Sequence, residues 1–286
     1  MTAGRSQRDA SHRSVRPRVT RPSIRSLTSP PTRPKNRGAM EQGYRDLAAV
    51  YSLLFPLNER QRGFFEHLLA EAPAGSALDV GCGTGEHLAW FSARGLRAYG
   101  LEPDGSMFRE LGRRTWPGPA PTLIRGGVEA LPGAIGERVD LVVCLGNTLP
   151  HVPDRPAAQR AVRAMAETLS PGGRLAVQTV NYDRVLAEGR SAFPVIERTL
   201  PDGGRVAFFR EYDMGESPER VLNRTRLVTP AGERRAEWPL VPLRREEIVR
   251  FMRQAGLTGI REYGDYDRSP YASTSPALIA VGRSEG

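Results

Sequence analysis

Three glycines at alternate positions, Gly81, Gly83 and Gly85, follow the apolar run Leu78-Asp79-Val80 and precede Glu86. Such a turn lets the backbone bend sharply and lets a ligand approach with no Cβ in its way. Asp79, at the end of the run, offers a carboxylate to a cationic group. Glu102 lies 17 residues beyond Gly85 and ends a second run, Tyr99-Gly100-Leu101. An acid at that place can accept hydrogen bonds from two ribose hydroxyls. Two polar clusters come later, Gly146-Asn147-Thr148-Leu149-Pro150-His151 and Asn181-Tyr182-Asp183. Asn147 can orient a reacting group through its amide, or simply form a turn. His151 can serve as a base, or hold its own loop. Tyr182, with Tyr51, Tyr266 and Tyr271, can wall a pocket, or pack with its hydroxyl at water.

Spacing narrows the ligand of the glycine turn. Dinucleotide sites read G-x-G-x-x-G and set a pyrophosphate on a helix N-terminus. Here the pattern is G-x-G-x-G, and Glu86 puts a negative charge into the first helical turn. That charge opposes a pyrophosphate. It tolerates S-adenosylmethionine (SAM), a sulfonium nucleoside with an amino-acid end and no phosphate.

The elements that must position these residues alternate in type. Strands are expected near 76–80, 97–101, 121–125, 138–145 and 174–180, and helices near 85–94, 104–114 and 155–169. Alternation of this kind gives a parallel sheet with helices on both faces. Ahead of it, Tyr44, Leu47, Val50, Tyr51 and Leu54 keep helical spacing up to Pro56, and Asn58 with Gln61 reads as a capping box. After Asp183 the pattern turns β-rich, around 194–200, 205–213, 219–229 and 233–241. This reads as an antiparallel meander, within an insert spanning 184–242. A helix at 244–255 and strands near 258–264 and 277–283 close the chain. The expected body is 40–286.

Of 41 Lys+Arg and 32 Asp+Glu, ten bases and one acid fall in residues 1–39. The remaining 31 bases and 31 acids balance, so the net charge of +9 belongs to the tail and not to the fold. A nucleic-acid-binding domain carries its charge on the fold itself. The tail is rich in Arg, Ser, Thr and Pro and is expected to be disordered. It reads as translated sequence upstream of a start at Met40, as a basic arm, or as a leader spoiled by its five prolines. Cys82 and Cys144 are too few for a disulfide framework or a zinc cluster, and no metal is expected. The longest apolar runs are too short to cross a bilayer. A reducing, cytoplasmic setting is expected.

With Asp79-Val80-Gly81-Cys82-Gly83-Thr84-Gly85, the chain resembles the class I SAM-dependent methyltransferases over residues 44–283. The resemblance implies a doubly wound α/β fold whose mostly parallel, seven-stranded sheet runs 3-2-1-4-5-7-6, with the seventh strand antiparallel. It implies a cofactor site made of Asp79, Gly81, Cys82, Gly83, Gly85, Glu102, Pro103, Met107, Val128 and Leu145. In it Glu102 holds the ribose, Pro103 and Met107 flank the adenine, and the backbone of Val128 lies at its edge. The family's usual acid in that last loop is replaced here, in Gly126-Gly127-Val128-Glu129. The Asn147 to His151 and Asn181-Tyr182-Asp183 segments, followed by an antiparallel insert, are similar to those of glycine N-methyltransferase and its small-molecule relatives. Where that enzyme has a carboxylate-binding arginine, this chain has Val180, which leaves Arg210, Arg224 or Arg226 of the insert as replacements.

The expected function is methyl transfer from SAM to a small-molecule acceptor at nitrogen, with oxygen also open, and with Asn147, His151 and Tyr182 as catalytic candidates. Neither a nucleic acid nor a membrane is expected as partner, while the exposed β-insert offers an edge for oligomer formation. A nucleic-acid-directed methyltransferase using the basic tail and a non-catalytic SAM-binding module stand as alternatives.

Overall fold

The computed structural model describes residues 23–26, 37–214 and 219–285. Its main sheet has eight strands. They are β1 (Ser23–Ser26), β2 (Ser76–Val80), β3 (Arg97–Glu102), β4 (Thr122–Arg125), β5 (Val139–Cys144), β6 (Leu169–Val180), β12 (Leu257–Tyr263) and β13 (Ala277–Ser284). Their order is β1-β4-β3-β2-β5-β6-β13-β12. Counted from β2, this is the expected 3-2-1-4-5-7-6. The pairs from β4 to β6 are parallel, and β13 runs antiparallel to both its neighbours. Both faces are apolar because both are covered. One core gathers Leu78, Val142, Val162 and Phe251; the other gathers Phe64, Phe65, Leu88 and Phe91.

The covering helices are α3 (Glu59–Glu71), α4 (Glu86–Ala93), α5 (Gly105–Arg113), α6 (Leu131–Ala134), α7 (Arg155–Glu167) and α9 (Arg245–Gln254). Asn58 and Gln61 form the expected capping box of α3. Asp104 caps α5 by accepting from the N–H groups of Ser106 and Met107, at 2.8 and 2.9 Å. The expected helix before Pro56 divides into α1 (Arg37–Ala48) and α2 (Tyr51–Leu54).

A second sheet contains β7 (Arg190–Ala192), β8 (Ile196–Thr199), β9 (Arg205–Asp213), β10 (Val221–Thr229) and β11 (Gly232–Leu240). It runs β11-β10-β9-β7, with β8 also beside β9. Helix α1 covers it: an added Cβ on Gly43 would stand 2.7 Å from the Trp238 ring, so only glycine permits this approach.

Three departures from expectation stand out. The sheet has eight strands and not seven, because Ser23–Ser26, inside the segment expected to be disordered, pairs in parallel with the outer edge of β4. That edge offers unpaired backbone groups, which template a further strand. The rest of that segment up to residue 36 lies outside the described residues. Strand β6 begins five residues early, at Leu169, with a register shift against β5 between Val139 and Leu141. Between β6 and β7 an unexpected helix, α8 (Tyr182–Glu188), is capped by Asn181 and ended by Gly189 at φ 72°.

Candidate functional site

The turn after β2 places its glycines as the spacing requires, each at positive φ: 73° at Gly81, 57° at Gly83 and 89° at Gly85. The reasons differ. A Cβ on Gly81 would lie 2.3 Å from Thr148 Cγ2, so this glycine lets the Asn147 loop dock against the turn. Gly85 faces Leu111 and Trp116, at 2.6 and 3.0 Å from an added Cβ, so it serves packing. Gly83 alone faces the open side, where the Tyr51 ring of α2 stands 3.5 Å away. Cys82 turns inward beneath Gly100, so only its backbone borders the turn, and burial pushes its thiol pKa well up.

Glu102 ties the first two strand ends together. Its Oε2 accepts from the Gly83 N–H at 2.8 Å and its Oε1 from the Asp104 N–H at 2.7 Å. Each oxygen keeps a lone pair, which is what a vicinal diol requires. Burial raises its pKa to about 7; the two backbone N–H groups oppose the rise, and Asp104 and Asp79 add to it. Asp79 is 1% exposed and accepts from Nδ1 of His87 at 3.1 Å. Burial works against the charge on His87, but Asp79, with help from Glu86, outweighs it and raises the histidine pKa. His87 carried no sequence signal beyond its place one residue into α4.

Glu86 is not the free negative charge that its place in the first helical turn suggests. Arg114 donates to Glu86 at 2.7 Å, so its charge is offset, and Thr84 bonds its other oxygen. The turn still lies among Asp79, Glu102 and Asp104, a field suited to a sulfonium and unsuited to a diphosphate. With glycine freedom at position 83 and a diol-ready carboxylate one strand over, the residues present fit SAM. Of the others assigned to it, Leu145 is buried in the core and Val128 opens a 3-10 turn, while Pro103 is exposed. Met107 is 2% exposed and packs with Leu47, Leu54, Phe208 and Leu227, under α1, α2 and the second sheet.

Asn147 holds a left-handed backbone, φ 64°, and all its main polar groups are engaged. Its Oδ1 accepts from the Val180 N–H at 2.9 Å, and its N–H donates to Gln178 Oε1 at 3.2 Å. Its Nδ2 donates to the hydroxyls of Tyr182 at 3.0 Å and Tyr212 at 2.9 Å. These two rings stack with a 3° interplanar angle. Asn147 therefore orients two tyrosine hydroxyls and has no amide hydrogen left for an acceptor. Tyr212, Gln178 and Tyr44 were missed as site residues, since nothing in their local sequence marks them.

His151 meets α1: Nε2 lies 3.3 Å from the Tyr44 hydroxyl and Nδ1 3.4 Å from Met40 Sδ. Burial lowers its pKa to about 4, so it is neutral at physiological pH. Of the other tyrosines, Tyr51 covers Gly83 and Tyr266 packs edge-on to Phe64. Tyr271 donates toward Asn181 and Asp183, at 2.9 and 3.2 Å. Asn181 is itself structural, donating to the carbonyls of Ser273 and Ser275 at 2.9 Å each.

Comparison with known proteins agrees with this geometry. A family model described as a methyltransferase domain matches residues 77–173. A glycine/sarcosine N-methyltransferase of Parasynechococcus marenigrum is 30% identical over 220 residues, covering 73% of this chain and 72% of that protein. The dTDP-3-amino-3,4,6-trideoxy-alpha-D-glucopyranose N,N-dimethyltransferase of Streptomyces venezuelae is 31% identical over 134 residues, 47% of this chain and 53% of that one. The CcbJ methyltransferase from Streptomyces caelestis shares the fold with a TM-score of 0.67 at 22% identity, over 86% of this chain and 99% of its own. Turn, strand-end carboxylate, strand order and a similarity that covers 73% of this chain and 72% of the first relative converge: this chain belongs to the class I SAM-dependent methyltransferases.

Proposed function

We propose that this methyltransferase methylates the nitrogen of a small-molecule amine held against the Asn147–Tyr182–Tyr212 cluster. The observation that carries the reading is the absence of a competent base around that cluster among the described residues. His151 is held near pKa 4, burial drives the Tyr44 and Tyr182 hydroxyls well above their usual pKa, and Asp79 is occupied by His87. A hydroxyl acceptor needs a base to take its proton. An unprotonated amine brings its own lone pair. The names of both sequence relatives above, which specify methylation at nitrogen, support the same choice.

Bound at the glycine turn, SAM would supply an activated methyl group to the acceptor's lone pair, with a neutral thioether as the leaving group. The protein's task is alignment at about 3 Å and exclusion of water. In this reading Glu102 accepts from the ribose hydroxyls, and the backbone of Gly81, Cys82 and Gly83 lies along the amino-acid end. Asp79, backed by His87, faces the ammonium. Tyr182 and Tyr212, fixed by Asn147, use their remaining lone pairs to accept from the acceptor N–H, which leaves the nitrogen lone pair free to face the methyl. Tyr51 closes the cleft over Gly83. No helix among the described residues is long and apolar enough to cross a membrane. The cytosolic setting in this reading rests on the two free, buried cysteines, which suit a reducing compartment.

The test is transfer of label from SAM to matched panels of amines and alcohols. Transfer to amines alone is the expected result; transfer to alcohols and to no amine would overturn the reading.

A further inference from the structure

Burial alternates along the second sheet and defines an inner face. It carries Phe208, Arg210 and Tyr212 of β9, Asn223, Thr225 and Leu227 of β10, and Ala236 and Trp238 of β11. The register sets Arg210 beside Thr225 and Thr225 beside Ala236; one step along, Tyr212, Asn223 and Trp238 form the next row. On this face three buried polar atoms have no hydrogen-bond partner among the described residues: Arg210 Nε, Asn223 Oδ1 and Trp238 Nε1. Asn223 is only 4% exposed. A cavity of about 840 Å³ opens along the Arg210–Thr225–Ala236 row, bordered by Gln42 of α1 and by Phe193.

The three arginines left open by the sequence now separate. Arg224 is neutralised by Asp213 at 2.6 Å and Glu237 at 3.4 Å, and Arg226 by Glu233 at 3.3 Å. Arg210 has no ion-pair partner among the described residues. Its guanidinium lies over Phe193 at 4.1 Å and beside Tyr212 at 5.7 Å, contacts that fix its plane without cancelling its charge. Burial pushes the hydroxyls of Tyr51, Tyr182 and Tyr212 upward, and the charge of Arg210 works against that at all three, which sets it beside the Asn147 cluster. A partly buried cation and a buried amide oxygen left without partners are costly unless a ligand completes them.

We infer that Arg210 recognises an anionic group of the acceptor, a carboxylate or a phosphate, while Asn223 Oδ1 accepts from an N–H or O–H of the same molecule. This rests on the reading of an amine acceptor at the Asn147 cluster. The acceptor is then an amine whose anion lies one tyrosine ring away from the reacting nitrogen.

The test uses the full chain, labelled SAM and amines in matched pairs: amino acids of increasing length against their amides, and phosphorylated amino alcohols against the free alcohols. At least one anionic member should be methylated, with kcat/KM at least about 10-fold above that of its uncharged partner. Which of the two series responds tells carboxylate from phosphate. Arg210→Met should raise KM for that acceptor by about 10- to 100-fold, the range for a lost charge-assisted hydrogen bond, with kcat and the affinity for S-adenosylhomocysteine within about threefold. Arg210→Lys keeps the charge and should fall between, which reads recognition even if the methionine variant folds poorly. An unchanged KM in both variants, or a wild-type preference for the uncharged members, overturns the inference and leaves the amine reading standing. Transfer to no amine despite cofactor binding overturns the amine reading, and this inference with it.

Discussion

The turn at Gly81–Gly85 and the cluster at Asn147 touch through Thr148, yet they are built by different means. Around Gly83 the decisive groups are backbone N–H groups, positive φ angles and one carboxylate, all within 24 residues of chain. Around Asn147 they are side chains: Tyr182 from α8, Tyr212 from β9, and Tyr44 with His151 nearby, drawn from residues 44 to 212. A backbone site tolerates little change, because its shape is its chemistry. A side-chain site can be retuned one residue at a time, which lets one cofactor half serve many acceptors.

If that division is right, substitutions in each half should move different readouts. The largest effect is expected from Gly83→Arg, which sets a long side chain at φ 57° under the Tyr51 ring. S-adenosylhomocysteine affinity should fall by about 100-fold or more by calorimetry, with the circular dichroism spectrum retained. Near-normal affinity would break the comparison at its base. Asn147→Ala comes next. It leaves two buried hydroxyls and the Val180 N–H short of a partner, so thermal or urea unfolding should show a loss of about 2–4 kcal/mol. Turnover should drop with it, while cofactor affinity stays within about threefold; a matching loss of affinity would mean the two halves are one unit.

Glu102→Gln is expected to weaken S-adenosylhomocysteine by about 10-fold, and its pH dependence sharpens the point. The carboxyl is raised to about 7 in the fold, above its ordinary value, so the native state holds a proton that the unfolded chain has already released. The contribution of Glu102 to ligand-free stability should therefore fall as pH rises between about 4.5 and 7, a slope read as the difference between wild type and Glu102→Gln. Cofactor affinity should rise through about pH 7 as the acceptor carboxylate forms, and the glutamine variant should lose that rise and the Glu102 part of the stability slope. The smallest effect is expected at His151. Its folded pKa near 4 lies below the ordinary histidine value, so its own contribution to stability is lost as pH drops from about 6.5 towards 4, opposite in sign to that of Glu102, and His151→Asn should remove that contribution. Turnover in that variant should change by no more than about threefold, with no break near pH 6.5 in the wild-type rate profile, because a neutral histidine has no proton to lose there. A large loss of turnover would restore His151 as a base and reopen oxygen as the acceptor.

Much of this was legible before any coordinates. The strand order, the glycine turn, Glu102 at the second strand end and the meander strands all follow from periodicity, glycine spacing and the family resemblance. Helix α8 was overlooked although Asn181 and Gly189 bracket it, because seven residues carry too little periodicity to stand out. Asn147 and Tyr182 were found as candidates, but not the bond that joins them, nor Tyr212 as its third member.

The glycine turn was decided by the sequence alone, since positive φ and a strand-end acid are local properties that glycine and spacing specify. Which arginine stays uncompensated, which histidine is neutral and which tyrosines stack were decided only by tertiary structure. Charge and burial at one residue depend on what distant strands bring beside it: Arg210 and Arg224 lie on one strand pair and read alike as letters, but only the fold gives Arg224 its acids and leaves Arg210 Nε buried without a partner among the described residues.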